Sequence, residues 1–400
     1  MINPKSCCIV GGGPAGMMVG YLLARRGISV TVLEKHVDFL RDFRGDTVHP
    51  STLIALQQVG LLQGFNELPQ SRINRLSVRM GDVMQTVADF RGLAPFDYVA
   101  LVPQWDLLNL LAEAGKALPH FTLRMQHEAT ALVRDGDKVV GVTANTPTGE
   151  GQFLADLTIA CDGRSSTLRD RASLAVEELG APMDVLWFRL PKPHASNGEL
   201  FGVIGAGTAI VLIDRIDYFQ VAYILPKGSD MKLRSKPLEN FRQTLASLAP
   251  ELKDSITAIQ SWDEVKTLEV KVDRLQTWHQ QGLLLIGDAA HAMSPIGGVG
   301  INLAIQDSIT AANVLAPALA AGDELNDALL SRVQRRRLPA VKKVQALQVA
   351  LQNNALSAVL AAKGQAPKIP APIRWLLKFR VLRNIPARII GYGFDREDVQ

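Results

Sequence analysis

Residues 7–34 read CCIV GGGPAG MMVGYLLARRG ISVTVLE, and this order of residue types sets a strand, a loop, a helix and a second strand. Cys7–Val10 is apolar at every position, as a strand covered on both faces must be. Gly11–Gly16 is too rich in glycine for regular structure. Met17–Arg26 has helical spacing, and Gly27 ends it. Ile28–Leu33 is rich in β-branched residues and closes at Glu34. The whole is one βαβ unit. Gly11, Gly13 and Gly16 form G-x-G-x-x-G: the first permits the tight turn, the second lets a pyrophosphate reach the backbone, the third lets helix and strand pack closely. Pro14 and Ala15 open the helix, whose free N–H groups point at the phosphates. Glu34 stands where an acid bonds ribose hydroxyls, with Lys35 beside it. The motif predicts a dinucleotide site without separating FAD from NAD, and the acid disfavours NADP there.

Composition bounds the remaining choices. The chain has 400 residues, 47% of them hydrophobic, and a formal net charge of +4. That is an ordinary globular protein able to bury a large core without disulfides. The small charge argues against nucleic acid as a partner. Cys7, Cys8 and Cys161 sit in apolar runs; adjacent Cys7 and Cys8 point to opposite strand faces and make poor disulfide partners. The expected compartment is the cytoplasm. No secretory signal or uninterrupted transmembrane run is visible. The seven histidines lack ligand-like spacing, so no metal is expected.

Further along, Pro50–Val59 and Trp105–Leu118 have helical spacing, and Ala129–Arg134 and Val139–Asn145 form a hairpin across Asp135-Gly136-Asp137. From about 181 to 275 strands dominate: Val185–Leu190, Phe201–Ile204, Ala209–Asp214 and Tyr218–Leu225, interrupted by a helix at Leu238–Leu248. Leu283–Ile286 is again a buried strand, and from Ile301 the chain is mostly helical.

Two later segments narrow the reading. One is Leu283 to His291, containing Gly287-Asp288, followed by Pro295, Gly297, Gly298, Gly300, Ile301, Asn302 and Asp307. The other is Ile159 to Arg169, containing Asp162-Gly163, Ser166 and Arg169. With the first loop, these three motifs resemble the class A flavoprotein monooxygenases, the para-hydroxybenzoate hydroxylase family, over roughly residues 7–335. Arg44 and Gln104 also match positions that family places near FAD. The resemblance implies an α/β fold with a sheet insert: a Rossmann-like FAD-binding domain of the glutathione-reductase type over 1–71, 101–180 and 276–340. The strand-rich runs give a β-rich substrate domain over 72–100 and 181–275, and the residue pattern beyond the resemblance gives a helical region over 341–400.

The resemblance also implies FAD as cofactor and NADPH or NADH as co-substrate, with Arg164 and Arg169 candidates for docking the nicotinamide donor. Asp288 would bond FAD ribose hydroxyls, and Asp162-Gly163 would lie near the pyrophosphate. The run from Pro295 through Gly298, Gly300 and Ile301 to Asn302 would lie against the flavin, its backbone N–H groups beyond the proline turned to the ring. The implied reaction passes oxygen from O2, by way of a flavin C4a-hydroperoxide, to an aromatic or flat apolar substrate. Pro295, Gly298 and His49 are the candidate catalytic positions, His49 as base or donor to a phenol. Trp187, Phe188, Phe201, Tyr218 and Tyr223 are candidate lining residues. Rival readings are a flavin reductase of isoprenoid double bonds, a halogenase, whose W-x-W-x-I-P segment is absent, and a redox sensor. Near the end, Ile373–Arg380 mixes basic and apolar residues, a pattern that can lie on an anionic membrane, cap a domain or join a dimer. The chain is expected to be a monomer or a homodimer.

Overall fold

The computed structural model describes residues 5–40, 47–192, 200–364, 375 and 379–400. Its centre is a six-stranded sheet in the order His279–Gln280, Leu283–Leu285, Leu157–Ala160, Cys7–Val10, Val30–Glu34 and Phe121–Met125. Each pairing is parallel except that of the edge strand His279–Gln280. Cys7–Val10 and Leu157–Ala160 are buried at every residue, because helices cover one face and the three-stranded sheet of Glu128–Asp135, Lys138–Thr146 and Gly149–Leu154 packs on the other. The chain starts in the middle of this sheet and adds strands on both sides. Next to the first strand the order reverses, and such switch points open a crevice at the carboxyl ends of the strands. Gly11, Glu34, Asp162 and Gly287 all leave strands at that edge.

The first helix, Pro14–Ala24, starts at N-cap Gly13 with proline in its first turn. It packs against the core helix Gly300–Ala321 and the helix Gln104–Lys116. The core helix, with the turn before it (Ile296–Ala321), is the one segment among the described residues long and apolar enough to cross a bilayer. Its most apolar window is 89% buried within the fold, which marks a core element.

The second large sheet has seven strands, in the order Lys266–Leu268, Met183–Pro191, Tyr218–Pro226, Ala209–Arg215, Leu200–Ile204, Arg75–Met80 and Val83–Asp89. The parallel pairing of Leu200–Ile204 with Arg75–Met80 joins the early hairpin to the later strands. Strand alternation gives this sheet two different faces. On the outer face Leu186, Phe188, Leu212, Val221 and Tyr223 pack on Phe241 and Leu245 of the helix Leu238–Leu248. On the inner face Val185, Trp187, Val211, Ile213 and Ala222 turn toward the rest of the molecule. Two small sheets cross the expected domain boundaries. Thr47–Val48 and Ser71–Ile73 both pair with Val99–Leu101, and Val176–Glu178 pairs with Asp273–Leu275.

The chain ends in helices. Asp327–Leu351 continues through a π-helical turn, Gln352–Leu356, into Ser357–Ala361, and a separate helix spans Arg380–Tyr392. That last helix packs against Val83–Asp89 and Pro50–Gln58.

The tightest point is Gly16, where an added Cβ would stand 1.9 Å from the Gly11 carbonyl oxygen. Both atoms belong to the frame of the first loop, so neither can yield cheaply. Gly16→Ala is expected to cost about 3 kcal/mol, the upper range for an overpacked site. A thermal-unfolding comparison checks this, and an unchanged midpoint would contradict it.

Candidate active site at the carboxyl edge of the parallel sheet

The glycines of the first loop divide by what surrounds them. Gly11 has φ +102°, and a Cβ there would meet the Cys161 carbonyl oxygen at 2.4 Å. Gly11 and Gly16 are therefore required by the fold itself. Around Gly13, by contrast, an added Cβ meets no heavy atom within 4 Å. That open backbone at a helix N-terminus suits an anionic group. Glu34 is buried beside it. Its Oε2 accepts the Gly12 N–H at 2.9 Å and its Oε1 the His36 N–H at 3.0 Å. Lys35 follows at the exposed end of the strand.

Two further loops converge here. Asp162 accepts the Ser166 hydroxyl at 2.5 Å and the Leu168 N–H at 3.1 Å. Burial pushes its carboxyl up despite those bonds. Gly163 has φ +87°, the left-handed region that glycine tolerates. Gly287 has φ +62°, and its Cβ would stand 3.1 Å from the Ala15 Cβ, so this loop presses on the first helix. Arg164 spans the two loops with a 3.1 Å ion pair to Asp288. Arg169 is not a surface group: it is buried, pairs with Asp273 at 3.3 Å and donates to the Arg164 carbonyl at 3.0 Å. It braces the loop, which corrects its expected part in docking a nucleotide.

Behind Gly287 lies a buried ionic cluster. Asp307 accepts the Gly287 N–H at 3.0 Å, His291 Nε2 at 2.6 Å and Arg337 Nε at 2.9 Å. All three side chains are essentially inaccessible. Burial pushes the Asp307 carboxyl up, but His291 and Arg337 outweigh it and hold it below the usual range. Sequence reading singled out Asp307 without finding Arg337, thirty residues on in a polar helix.

The third loop covers the crevice. Gly297 and Gly298 have φ +80° and +63°. Thr47 donates its hydroxyl to the Gly298 carbonyl at 2.8 Å, and a Cβ on Gly298 would strike that hydroxyl. Pro295 accepts the Gly298 N–H at 3.1 Å, and Gly300 faces open space at the start of the core helix, next to Ile301. Asn302 Oδ1 accepts the His49 N–H at 3.2 Å and the Thr52 hydroxyl at 2.6 Å. Its Nδ2 is a buried donor with no partner.

His49 thus lies beside this loop, buried, before the helix Pro50–Gln58. Its Nδ1 lies 2.7 Å from the Ile390 carbonyl in the C-terminal helix. A carbonyl only accepts, so Nδ1 carries the proton and Nε2 keeps its lone pair. Burial pushes the ring's pKa down to about 4, against the Ile390 bond. His49 is therefore neutral near pH 7, an acceptor rather than a proton donor.

Among the other expected residues, Gln104 is half-buried in the first turn of Gln104–Lys116. Arg44 lies outside the described residues. Phe188 and Tyr223 do not line the site; their rings meet Phe241 at 5.6 and 5.2 Å on the outer face. Tyr218 lies under Arg189 at 5.0 Å. The Phe201 side chain lies outside the description. Trp187 alone of the five packs on the inner face with both Ile390 and Ile296. Among the described residues no cluster could hold a metal. The open backbone at Gly13 and Gly300, the buried acids and the unpaired Asn302 amide suit a long dinucleotide ending in a flat ring.

The lowered pKa of His49 makes stability depend on pH. The unfolded ring binds protons below about pH 6.5, and the folded ring only below about 4. Between those values the unfolded state holds more protons, so stability falls on acidification. The loss is about 3 kcal/mol over the interval. His49→Asn should remove that part of the slope in denaturant titrations; an unchanged slope would contradict the buried neutral ring.

Comparison with known proteins agrees with this geometry. Residues 5–347 match a family model described as an FAD binding domain. The chain is 30% identical to 6-methylpretetramide 4-monooxygenase of Streptomyces rimosus, over 94% of this chain and 91% of that protein. It is 25% identical to para-nitrophenol 4-monooxygenase of a Pseudomonas species, over 75% of each chain. Its fold is similar to that of PqsL, a probable FAD-dependent monooxygenase of Pseudomonas aeruginosa, with a TM-score of 0.76 at 22% identity, covering 88% of this chain and 96% of that one. The chain belongs to the class A flavoprotein monooxygenases, the para-hydroxybenzoate hydroxylase-like family.

Proposed function

We propose that the protein uses FAD, NADPH or NADH, and O2 to hydroxylate an aromatic or similarly flat apolar small molecule. The observation that carries this reading is the convergence of three motif loops at one sheet edge, under the inner face of the seven-stranded sheet. The relatives' monooxygenase activities support it. Bound FAD supplies the redox chemistry, accepting hydride and activating oxygen. The first loop, Gly11 to Gly16 with Pro14 and Ala15, would hold the pyrophosphate, with Asp162-Gly163 near it. Glu34, Lys35 and Asp288 would hold the hydroxyls of the cofactor. Backbone N–H groups of the loop between Pro295 and Asn302, at the start of the core helix, would face the flavin ring and stabilise negative charge on it. His49 would accept a proton-bearing group at Nε2.

The division of labour follows from the two sheets. In this reading the six-stranded sheet and its loops, within 1–71, 101–180 and 276–340, would bind FAD, and the seven-stranded sheet, within 72–100 and 181–275, would roof the substrate. The free, buried cysteines Cys7, Cys8 and Cys161 support a reducing, cytoplasmic setting.

The C-terminal region adds a membrane contact. Between Asp327 and Asp395 there are thirteen basic residues and no acidic one, which leaves the rest of the chain net negative. On the C-terminal helix Val381 and Ile385 are 75% and 54% exposed, one turn apart, with Arg388 exposed just beyond. Trp375 and Phe379 form an exposed edge-on pair at 4.9 Å. Apolar groups set among positive charge suit an anionic bilayer surface. Ile373, Arg374 and Leu376–Lys378, also basic and apolar in sequence, lie outside the described residues.

Two measurements test these readings. Nicotinamide oxidation by the flavin-loaded protein should rise with an aromatic ligand, with equal oxygen uptake and a product heavier by one oxygen. Turnover that persists without oxygen would replace the oxygenase by a reductase. For the membrane, the protein should sediment with phosphatidylglycerol vesicles, not with phosphatidylcholine vesicles. Added salt, or Val381→Asp with Ile385→Asp, should release it; no sedimentation at low salt would end the proposal.

A further inference from the structure

The inner face of the seven-stranded sheet holds hydrogen-bond donors that the fold leaves unused. In the register, Trp187 pairs with Ala222, Arg189 with Gln220, and Gln220 in turn with Ile213. Residues directly opposite one another share a face, as do residues two apart. Trp187, Arg189, Gln220 and Ile213 therefore stand together, with Arg215 next along its strand. The Trp187 indole N–H is buried and has no partner, and neither has Gln220 Nε2. Gln220 Oε1 is engaged by Arg215 Nη2 at 3.4 Å. A guanidinium only donates, so this contact fixes which end of the amide is oxygen and leaves the NH2 group uncommitted.

Folded proteins leave few buried donors unpaired, because each costs free energy. Other buried donors without a partner are scattered through the fold, Trp278 Nε1 and Gln280 Nε2 among them, but one more stands by the glycine loop: Asn302 Nδ2, at the start of the core helix. With the Trp187 indole and the Gln220 amide it makes three donors and no acceptor. Trp187 ties them to one place. It packs with the cluster containing Ile296 of the glycine loop and with the cluster containing Ile390, whose carbonyl holds His49.

Resting on the oxygenase reading, we infer that Trp187 and Gln220 recognise a carbonyl oxygen on a flat aromatic substrate, a ring system of the quinone or aryl-ketone class. The indole N–H and the amide NH2 donate to that oxygen and so fix which edge of the ring turns toward the glycine loop. A hydrocarbon of the same shape leaves both donors unpaired and is selected against.

The test compares 1-hydroxyanthraquinone with 1-hydroxyanthracene, which has the same skeleton without carbonyls. Binding to the flavin-loaded protein is followed by the change in the flavin visible spectrum. The anthraquinone is expected to bind ~10-fold more tightly, and Trp187→Phe and Gln220→Leu should each weaken it ~10-fold, the effect of one lost hydrogen bond to a buried donor. Neither variant should change the affinity for the anthracene or the flavin content. Equal losses for both probes would reduce the two residues to packing and overturn the inference, as would equal affinity of the two probes or failure of the anthraquinone to bind. Selective binding without oxygen-coupled turnover would instead remove the oxygenase reading and leave the recognition standing.

Discussion

A single buried carboxylate, Asp307, holds the cofactor edge in shape. It lies on the core helix, out of water, and three donors, two from the Gly287–His291 turn and one from the helix Asp327–Leu351, share its two oxygens. An isolated charge so placed would cost several kcal/mol, so each partner is needed. The Gly287 N–H fixes the loop that presents Asp288. His291 turns its ring onto Trp278, with centroids 4.9 Å apart. Arg337 reaches on to the Asp395 carbonyl at 3.1 Å. One charge thereby couples the FAD loop, the core helix, the long C-terminal helix and the chain's last residues. Bonds from Gln306 and Asn313 to the backbone at Glu397 and Asp398 extend the same attachment.

That frame separates two kinds of polar group. The acids that build the loops are satisfied within the protein: Asp162 by Ser166 and Leu168, Glu34 by two backbone N–H groups. The groups that face the crevice and its roof keep unused capacity: the Asn302 amide, the Trp187 indole and the Gln220 amide. His49 belongs to both kinds. Its Nδ1 is spent on the C-terminal helix, while its Nε2 has no partner among the described residues. The helix that fixes the ring's tautomer also presses Gly391 against Pro50 and Phe90. The end of the chain therefore shapes the site that its beginning defines.

Much of this was legible in the sequence, for physical reasons. Period-two and all-apolar runs gave the strands: Val185–Leu190 grew only to Met183–Pro191, and the helix at Leu238–Leu248 kept its bounds. The glycine motifs were readable because close backbone approach admits no side chain. What stayed hidden depends on distant contacts. A run of strand aromatics does not say which face is which, so Phe188 and Tyr223 stood among the candidate lining residues, and they pack under Phe241. Arg169 reads as a surface charge until its partner Asp273, more than a hundred residues away, is known. The hold of Ile390 on His49 spans most of the chain, and no local spacing signals it.

The central claim is that these loops hold a flavin which passes oxygen from O2 to an aromatic ligand. It is tested most directly by running turnover under isotopically labelled oxygen gas and weighing the product. One labelled oxygen atom in each product molecule is the expected result. A product that carries oxygen from water, or turnover that proceeds with no label retained, would contradict it.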